Sequence, residues 1–167
     1  MVCAVDPRTI PVLADHVRRT MPALPPVLSY LGLEDEVPAL PHEVVLHGDP
    51  TLVLRTSGCA PPGGAAWTVL SRGRLAEDVL TALARRGVDI REHVRVRVDR
   101  SPREQMVAWA GSPYGVLWQG RATISDKLRT QTPVPGVYCA GAHVAGSTGL
   151  PFTALTAAVV AEQVGKA

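Results

Sequence analysis

Short apolar runs separated by turn residues fill the middle of the chain. Residues 27–33, 42–47, 51–56 and 65–70 are each dominated by apolar side chains, and runs of this length and composition favour β-strands. Glycine and proline residues separate the last three runs, as expected of tight turns. Short connections join antiparallel neighbours, so the pattern predicts a mostly antiparallel sheet.

Four other segments have the apolar spacing or the terminal signals of helices. They are 9–20, 73–87, 102–110 and 151–164. The second has acidic residues in its first turns, arginines in its last turn and Gly87 at the position of a left-handed cap, which is typical of a surface helix. The last is apolar nearly all round, so we expect it to be buried.

Two short apolar runs, 2–5 and 137–140, lie near the ends of the chain. With the helix that follows each of them, they predict part of an α/β layer at the two chain ends. The fold class expected is therefore α+β: a partial α/β layer formed by the chain ends, plus a mostly antiparallel sheet with helices. We divide the chain into 1–20, a returning strand and helix; 21–110, the sheet-bearing lobe; and 111–167, the closing segment.

Composition and charge exclude several classes of protein. The 167 residues are 46% hydrophobic and carry 17 basic against 15 acidic side chains, which argues against disorder and against a nucleic-acid partner. The basic tract 91–103 is interleaved with acids, and the extended run 88–98 alternates in charge, which indicates a solvated, half-exposed strand. No apolar stretch reaches the roughly 18 residues of a membrane span. We expect a cytoplasmic protein, with peripheral membrane contact left open.

Cysteines and histidines give no sign of a disulfide framework or a metal site. The three cysteines, Cys3, Cys59 and Cys139, are irregularly spaced. Cys3 and Cys139 lie in apolar runs, where a free cysteine behaves as a small buried hydrophobe. His42 and His47 flank one strand on opposite faces, so they are not expected to share a metal.

The most informative stretch is 133–166, which predicts a strand, a flexible loop and a helix. Glycines at 141, 146 and 149 would allow a ligand to approach the backbone closely. The helix start after Gly149 offers unpaired N–H groups and a positive dipole end. A simple packing loop and a ligand site are both consistent with this pattern.

This stretch resembles the closing flavin motif of phytoene desaturases and related amine-oxidase-type flavoproteins. The resemblance is carried by 134–142 (VPGVYCAGA) and 149–151 (GLP), together with the alanine-rich helix after them. In the same order along the chain, 2–7 (VCAVDP) and 114–120 (YGVLWQG) are similar to other segments of that family. The resemblance covers nearly the whole chain.

The resemblance implies FAD as the cofactor and a set of residues around it. Gly141 and Ala142 would lie near the pyrophosphate and the ribityl chain, and residues 150–152 by the isoalloxazine. For His143, both a place facing the flavin and a loop position without a role remain open. The sheet of residues 27–70 would cover the flavin and bind the substrate. The implied set of cofactor-binding residues combines the loop and the helix start: Gly141, Ala142, His143, Gly149, Leu150, Pro151 and Phe152.

The chain departs from the family pattern in two places. No GxGxxG motif occurs in it, and His143 with Ser147-Thr148 replaces a glycine-rich run. We therefore expect the C-terminal subunit or fragment of an FAD-dependent oxidoreductase, a desaturase or dehydrogenase of an apolar, isoprenoid-like substrate. A separate N-terminal FAD-binding polypeptide would complete it.

The catalytic residues stay unassigned, because the flavin itself would accept the hydride. Asp6, which closes the first apolar run, is expected to form a turn rather than to act in catalysis. The alternative is a non-enzymatic protein that binds a hydrophobic small molecule or assembles as a homo-oligomeric scaffold.

Overall fold

The computed structural model describes residues 1–34, 37–73, 77–144 and 149–165. Residues 74–76 of the predicted second helix, and Gly146 and Ser147-Thr148 of the predicted loop, fall outside these ranges. The fold class is α+β, as predicted, with 31% of the described residues in helices and 27% in strands. The chain divides into two compact units, a sheet unit, Pro26–Pro102, and a chain-end unit, Met1–Pro25 with Arg103–Ala167.

The described residues form seven strands, five α-helices and three 3₁₀ turns. The strands are β1 Val2–Cys3, β2 Val27–Glu34, β3 Glu43–Leu46, β4 Leu52–Gly58, β5 Gly64–Ser71, β6 Val94–Arg100 and β7 Tyr138–Cys139. The α-helices are α1 Pro11–Ala14, α2 Val79–Arg85, α3 Pro102–Ala108, α4 Ala122–Asp126 and α5 Leu150–Gly165. Three 3₁₀ turns, Pro7–Thr9, Asp15–Val17 and Arg91–His93, complete them.

The sheet unit contains one five-stranded sheet in the order β3-β4-β5-β2-β6. All its pairs are antiparallel, which confirms the prediction. Period-two alternation places Leu31, Trp67 and Leu54 on one face. That face packs with Ala82 and Leu83 of α2 to form the core.

Helix α2 is shorter than predicted but ends as predicted. Its N-cap is Asp78, whose carboxylate accepts a hydrogen bond from the Leu80 N–H at 2.9 Å. At its C-terminal end, Gly87 has φ +88°. The N–H groups of Gly87 and Val88 donate to the carbonyls of Ala84 and Leu83, each at 3.0 Å. This pair of bonds is a Schellman motif, which requires the left-handed residue that glycine supplies.

The basic tract of the sheet unit is an exposed edge, as predicted, although β6 begins only at Val94. Its arginines pair with carboxylates: Arg95 with Glu34, and Arg97 with Asp78 and Asp99. The Arg97 guanidinium contributes to holding the pKa of both Asp78 and Asp99 below the usual range against the opposing effect of burial.

The chain-end unit brings the two ends of the chain into one small sheet. Strand β1 runs parallel to β7, with Cys3 opposite Cys139. Both cysteines are buried and free, as predicted. Burial and the neighbouring Cys3 raise the pKa of the Cys139 thiol to about 12. Leu13, Val17 and Leu128 pack around this pair.

The helices of the chain-end unit differ in detail from the prediction. The short helix predicted within 9–20 is present but irregular: α1 continues directly into the 3₁₀ turn Asp15–Val17, and the 3₁₀ turn Pro7–Thr9 precedes it. Helix α4 lies in the segment 111–135, where no helix was predicted.

Helix α5, predicted to be buried, is largely exposed. Leu150 is 84% exposed and Leu155 58% exposed, while Thr156 and Val160 are buried. An all-round apolar helix can bury only the side for which its unit supplies neighbours. In the described part of the chain, the helices are all too short or too polar to cross a lipid bilayer.

Candidate functional site

The loop after β7 is attached to α5 by a threonine that sequence reasoning missed. Gly141 has φ +110°. Its N–H donates to the Thr156 hydroxyl at 2.9 Å, and that hydroxyl donates to the Thr153 carbonyl at 2.7 Å. The sequence signal was two threonines three positions apart, on one face of an otherwise alanine- and valine-rich helix.

The second residue of the loop, Ala142, lies against a glycine of the preceding segment. Gly115 has φ +74°, and a Cβ built on it would collide with the Ala142 carbonyl oxygen. The Gly115 carbonyl also accepts a hydrogen bond from the Ala23 N–H at 2.8 Å. Gly115 is therefore required both for its backbone conformation and for this close approach.

His143 is directed into the interior of the unit, where it is only 8% exposed. Its Nε2 lies 3.0 Å from the Ser112 carbonyl oxygen, so that nitrogen carries the proton and donates it. Burial lowers the pKa of His143, and the coulombic effect of Asp6 only partly opposes that. The ring is neutral at pH 7. Its Nδ1 lies 3.9 Å from Asp6 Oδ1 and makes no hydrogen bond to any described residue.

Asp6 forms the turn that follows β1, as predicted. The buried carboxylate accepts hydrogen bonds from the Arg8 N–H and from the Arg8 guanidinium, each at 3.0 Å. The same guanidinium donates to the Thr20 hydroxyl at 2.6 Å. Gly111 approaches so closely that a Cβ there would collide with the Asp6 side chain. The loop is therefore held at His143 by the Ser112 carbonyl, and the buried Asp6 carboxylate lies next to that ring without a hydrogen bond to it.

The start of α5 is the exposed part of the candidate set. Gly149 has φ +84°, and its carbonyl accepts the Thr153 N–H at 3.0 Å. Leu150, Pro151 and Phe152 all lie at the surface. The N–H groups of a first helical turn have no intrahelical acceptor. The predicted set therefore separates into an interior loop group, residues 141–143, and an exposed helix start, residues 149–152.

The sheet unit, taken by itself, has a surface with exposed apolar side chains, which we call the outer face. It is the side of the sheet opposite α2. One cross-strand row on it joins Arg55, Thr68, Tyr30 and Val98. A neighbouring row joins the small residues Gly58, Ala66 and Gly32 to Val96. Tyr30, Val96 and Val98 are exposed, so the part of the outer face formed by β2 and β6 presents apolar side chains to solvent, next to the polar Arg55 and Thr68.

The loop and the helix start have features that one side of an FAD site would need. At the exposed helix start, Leu150 and Phe152 have apolar side chains and first-turn N–H groups, whereas Pro151 has no N–H. Gly141 has no side chain to keep a ligand away from the loop backbone. The phosphates need a glycine-rich cradle of the GxGxxG type, and the sequence has none. The described residues also contain no group of three or more histidine, cysteine or carboxylate side chains suited to a metal ion.

Comparison with known proteins identifies no family for this chain. No protein-family model matches the chain, and no curated protein matches it.

Proposed function

We propose that this chain is the C-terminal part of an FAD-dependent oxidoreductase resembling the phytoene desaturases. Its substrate would be apolar and isoprenoid-like, and a separate N-terminal polypeptide would supply the phosphate cradle. The observation that carries the proposal is the parallel pair β1–β7, followed directly by the glycine loop and α5. This is the arrangement expected if the two chain ends belong to one nucleotide-binding layer.

In this proposal, the helix start binds the flavin ring. Bound FAD would supply the redox chemistry by accepting a hydride from the substrate. Leu150 and Phe152 would exclude water from the ring, and the first-turn N–H groups of α5 would face its electron-rich edge. The neutral His143 would hold the loop backbone in place through Ser112 without adding a charge to the site.

The outer face of the sheet favours an apolar substrate in this proposal. Its exposed side chains are Tyr30, Val96 and Val98, and Gly32, which has no side chain, lies opposite Val96. A long hydrocarbon could bury this surface together with its own, at about 25 cal/mol per Å² of apolar area removed from water. Bound FAD would take the hydride, and the proton lost from the substrate with it would pass to the reduced flavin or to water, so the proposal assigns no protein acid or base.

Flavin absorbance tests the proposal directly. The full chain would be co-expressed with an N-terminal FAD-binding polypeptide of a phytoene desaturase-type enzyme and co-purified. We expect a yellow complex that absorbs between about 350 and 500 nm, where bound flavin reports through its own chromophore. A colourless complex after addition of FAD would overturn the proposal.

A pair of α5 variants localises the contact. Leu150→Asp places a carboxylate at the exposed helix start, and Val164→Asp places one at the exposed far end. Neither change disturbs a buried position. Leu150→Asp should weaken flavin retention at least about tenfold, because a loss of only about 1.4 kcal/mol of binding free energy lowers the affinity tenfold. Val164→Asp should leave it unchanged, and equal effects of the two variants would contradict the assignment.

The second candidate is a non-enzymatic protein that binds a hydrophobic molecule or assembles with itself. The exposure of Leu155 on α5 and of Val96 on the outer face favours it, because large exposed apolar surfaces are generally interaction sites. Light scattering coupled to size exclusion separates the two candidates. A colourless homo-oligomer would favour the scaffold, and a flavin-loaded heteromer would favour the enzyme.

A further inference from the structure

A basic groove in the chain-end unit lies outside the residues assigned to the flavin. It has a volume of about 650 Å³ and is lined by the turn after α1 and by the segment that follows α4. Its cations come from both segments: Arg18, Arg19, Lys127 and Arg129. Its carboxylates are Asp15 and Asp126, so the lining is net positive.

The groove cations are not neutralised within the part of the chain that the structure describes. The arginines that form ion pairs with carboxylates there are Arg8, Arg55, Arg85, Arg91, Arg95 and Arg97. None of these lines the groove. Its two carboxylates also lie beyond ion-pair distance of its cations, so the groove contrasts with the paired arginines of the sheet unit.

Lys127 is the most constrained of the four cations. It directly follows α4, its N–H donates to the Thr123 carbonyl at 3.2 Å, and its side chain is half-buried. Burial lowers the pKa of Lys127, and no carboxylate opposes that effect. A partly desolvated ammonium without an anion is unfavourable, and a bound anion would relieve the cost.

We infer that this groove is a binding site for an organic phosphate group. Three arginines can offer forked N–H pairs, which match phosphate oxygens, and Lys127 adds a point charge. The volume lies within the range of small-molecule sites. Asp15 and Asp126 can accept hydrogen bonds from hydroxyl groups of the same molecule. The phosphate could belong to a free metabolite or to a lipid headgroup.

Binding of pyrophosphate to the full chain tests the site, independently of any flavin. Isothermal titration at an ionic strength of about 0.15 M, where the screening length is about 8 Å, should show saturable binding. Lys127→Gln, and separately Arg18→Gln with Arg129→Gln, should each weaken it at least about tenfold. The matched control, Arg55→Gln with Arg91→Gln, removes two charges from exposed paired arginines of the sheet unit. It should retain wild-type affinity, since added salt screens such distant charges.

Co-sedimentation with vesicles distinguishes the sources of the phosphate. Vesicles of phosphatidic acid in phosphatidylcholine are compared with phosphatidylcholine alone. If pyrophosphate binds and vesicles do not, the phosphate that occupies the groove belongs to a free metabolite. If vesicles bind and both groove variants abolish that binding, the phosphate belongs to a lipid headgroup. The inference is overturned if neither probe binds, or if the control variant loses as much affinity as the groove variants. Because no arm uses FAD, failure here leaves the proposed flavin function untouched.

Discussion

The two units place their apolar residues differently. In the sheet unit, strand alternation and α2 enclose a continuous core around Leu31, Trp67 and Leu83. The chain-end unit has a smaller core around Cys3, Cys139 and Leu13, while its longest helix exposes most of its apolar side chains. Apolar composition therefore does not ensure burial. A helix is buried only where neighbouring elements supply a surface of matching width.

The largest effect is expected in the core of the sheet unit. Leu83→Ala removes a fully buried side chain of α2 and should lower the free energy of unfolding by about 2–5 kcal/mol, measured by urea denaturation. Thr81→Ala, on the exposed side of the same helix, should change it by less than about 0.5 kcal/mol. Similar values for both variants would show that the sheet unit lacks the core described.

Backbone packing under the candidate loop gives the next effect. Gly115 and Gly136 have nearly the same φ, +74° and +73°, but only Gly115 would bring a Cβ against another residue. Gly136→Ala should cost about 1–2 kcal/mol for the left-handed backbone. Gly115→Ala should cost about 1–3 kcal/mol more, because the Ala142 carbonyl must move. Thermal unfolding of the two variants measures the difference. Equal costs would mean that the loop is not held by this contact.

The neutral His143 makes the stability of the chain-end unit depend on pH. Its pKa is lower in the folded protein than in the unfolded chain, so the unfolded state binds more protons as the pH falls through about 6.5. Stability from this group is full above that pH and declines below it, until the folded pKa is reached. Unfolding free energies at pH 8 and 5.5 should show the decline.

The matched variants are His143→Gln, which keeps a donor for the Ser112 carbonyl, and His47→Gln at an exposed position. The first should reduce the decline between pH 8 and 5.5, and the second should leave it in place. A decline that survives in His143→Gln would assign it to another group. The carboxylates with lowered pKa, Asp78, Asp89 and Asp99, act below this window.

The smallest effect is expected on α5. Leu155→Ala is the same chemical change as Leu83→Ala, but at an exposed position. In the chain alone it should alter the free energy of unfolding by less than about 0.5 kcal/mol. A loss comparable to that of Leu83→Ala would mean that another surface covers α5 in solution, and the loss should then vary with protein concentration.

Local signals predicted the sheet unit well. Alternation and turn residues identified β2 to β5, and Gly87 identified the end of α2, because each depends on residues close in sequence. The same signals missed α4, whose five residues carry little periodicity, and they did not predict the 3₁₀ turns on either side of α1. The exposure of α5 could not be predicted, since hydrophobicity reports what a helix could bury and not what lies beside it.

The candidate site shows the same division between local and tertiary information. The sequence alone determined a strand, a glycine-containing loop and a helix around residues 137–164, together with the α+β class. Only the tertiary structure decided that Thr156 binds Gly141 and that Asp6 lies beside His143. It also decided that Lys127 faces a basic groove without a carboxylate partner. Those contacts join residues from separate elements, and their geometry is fixed by packing rather than by any pattern along the chain.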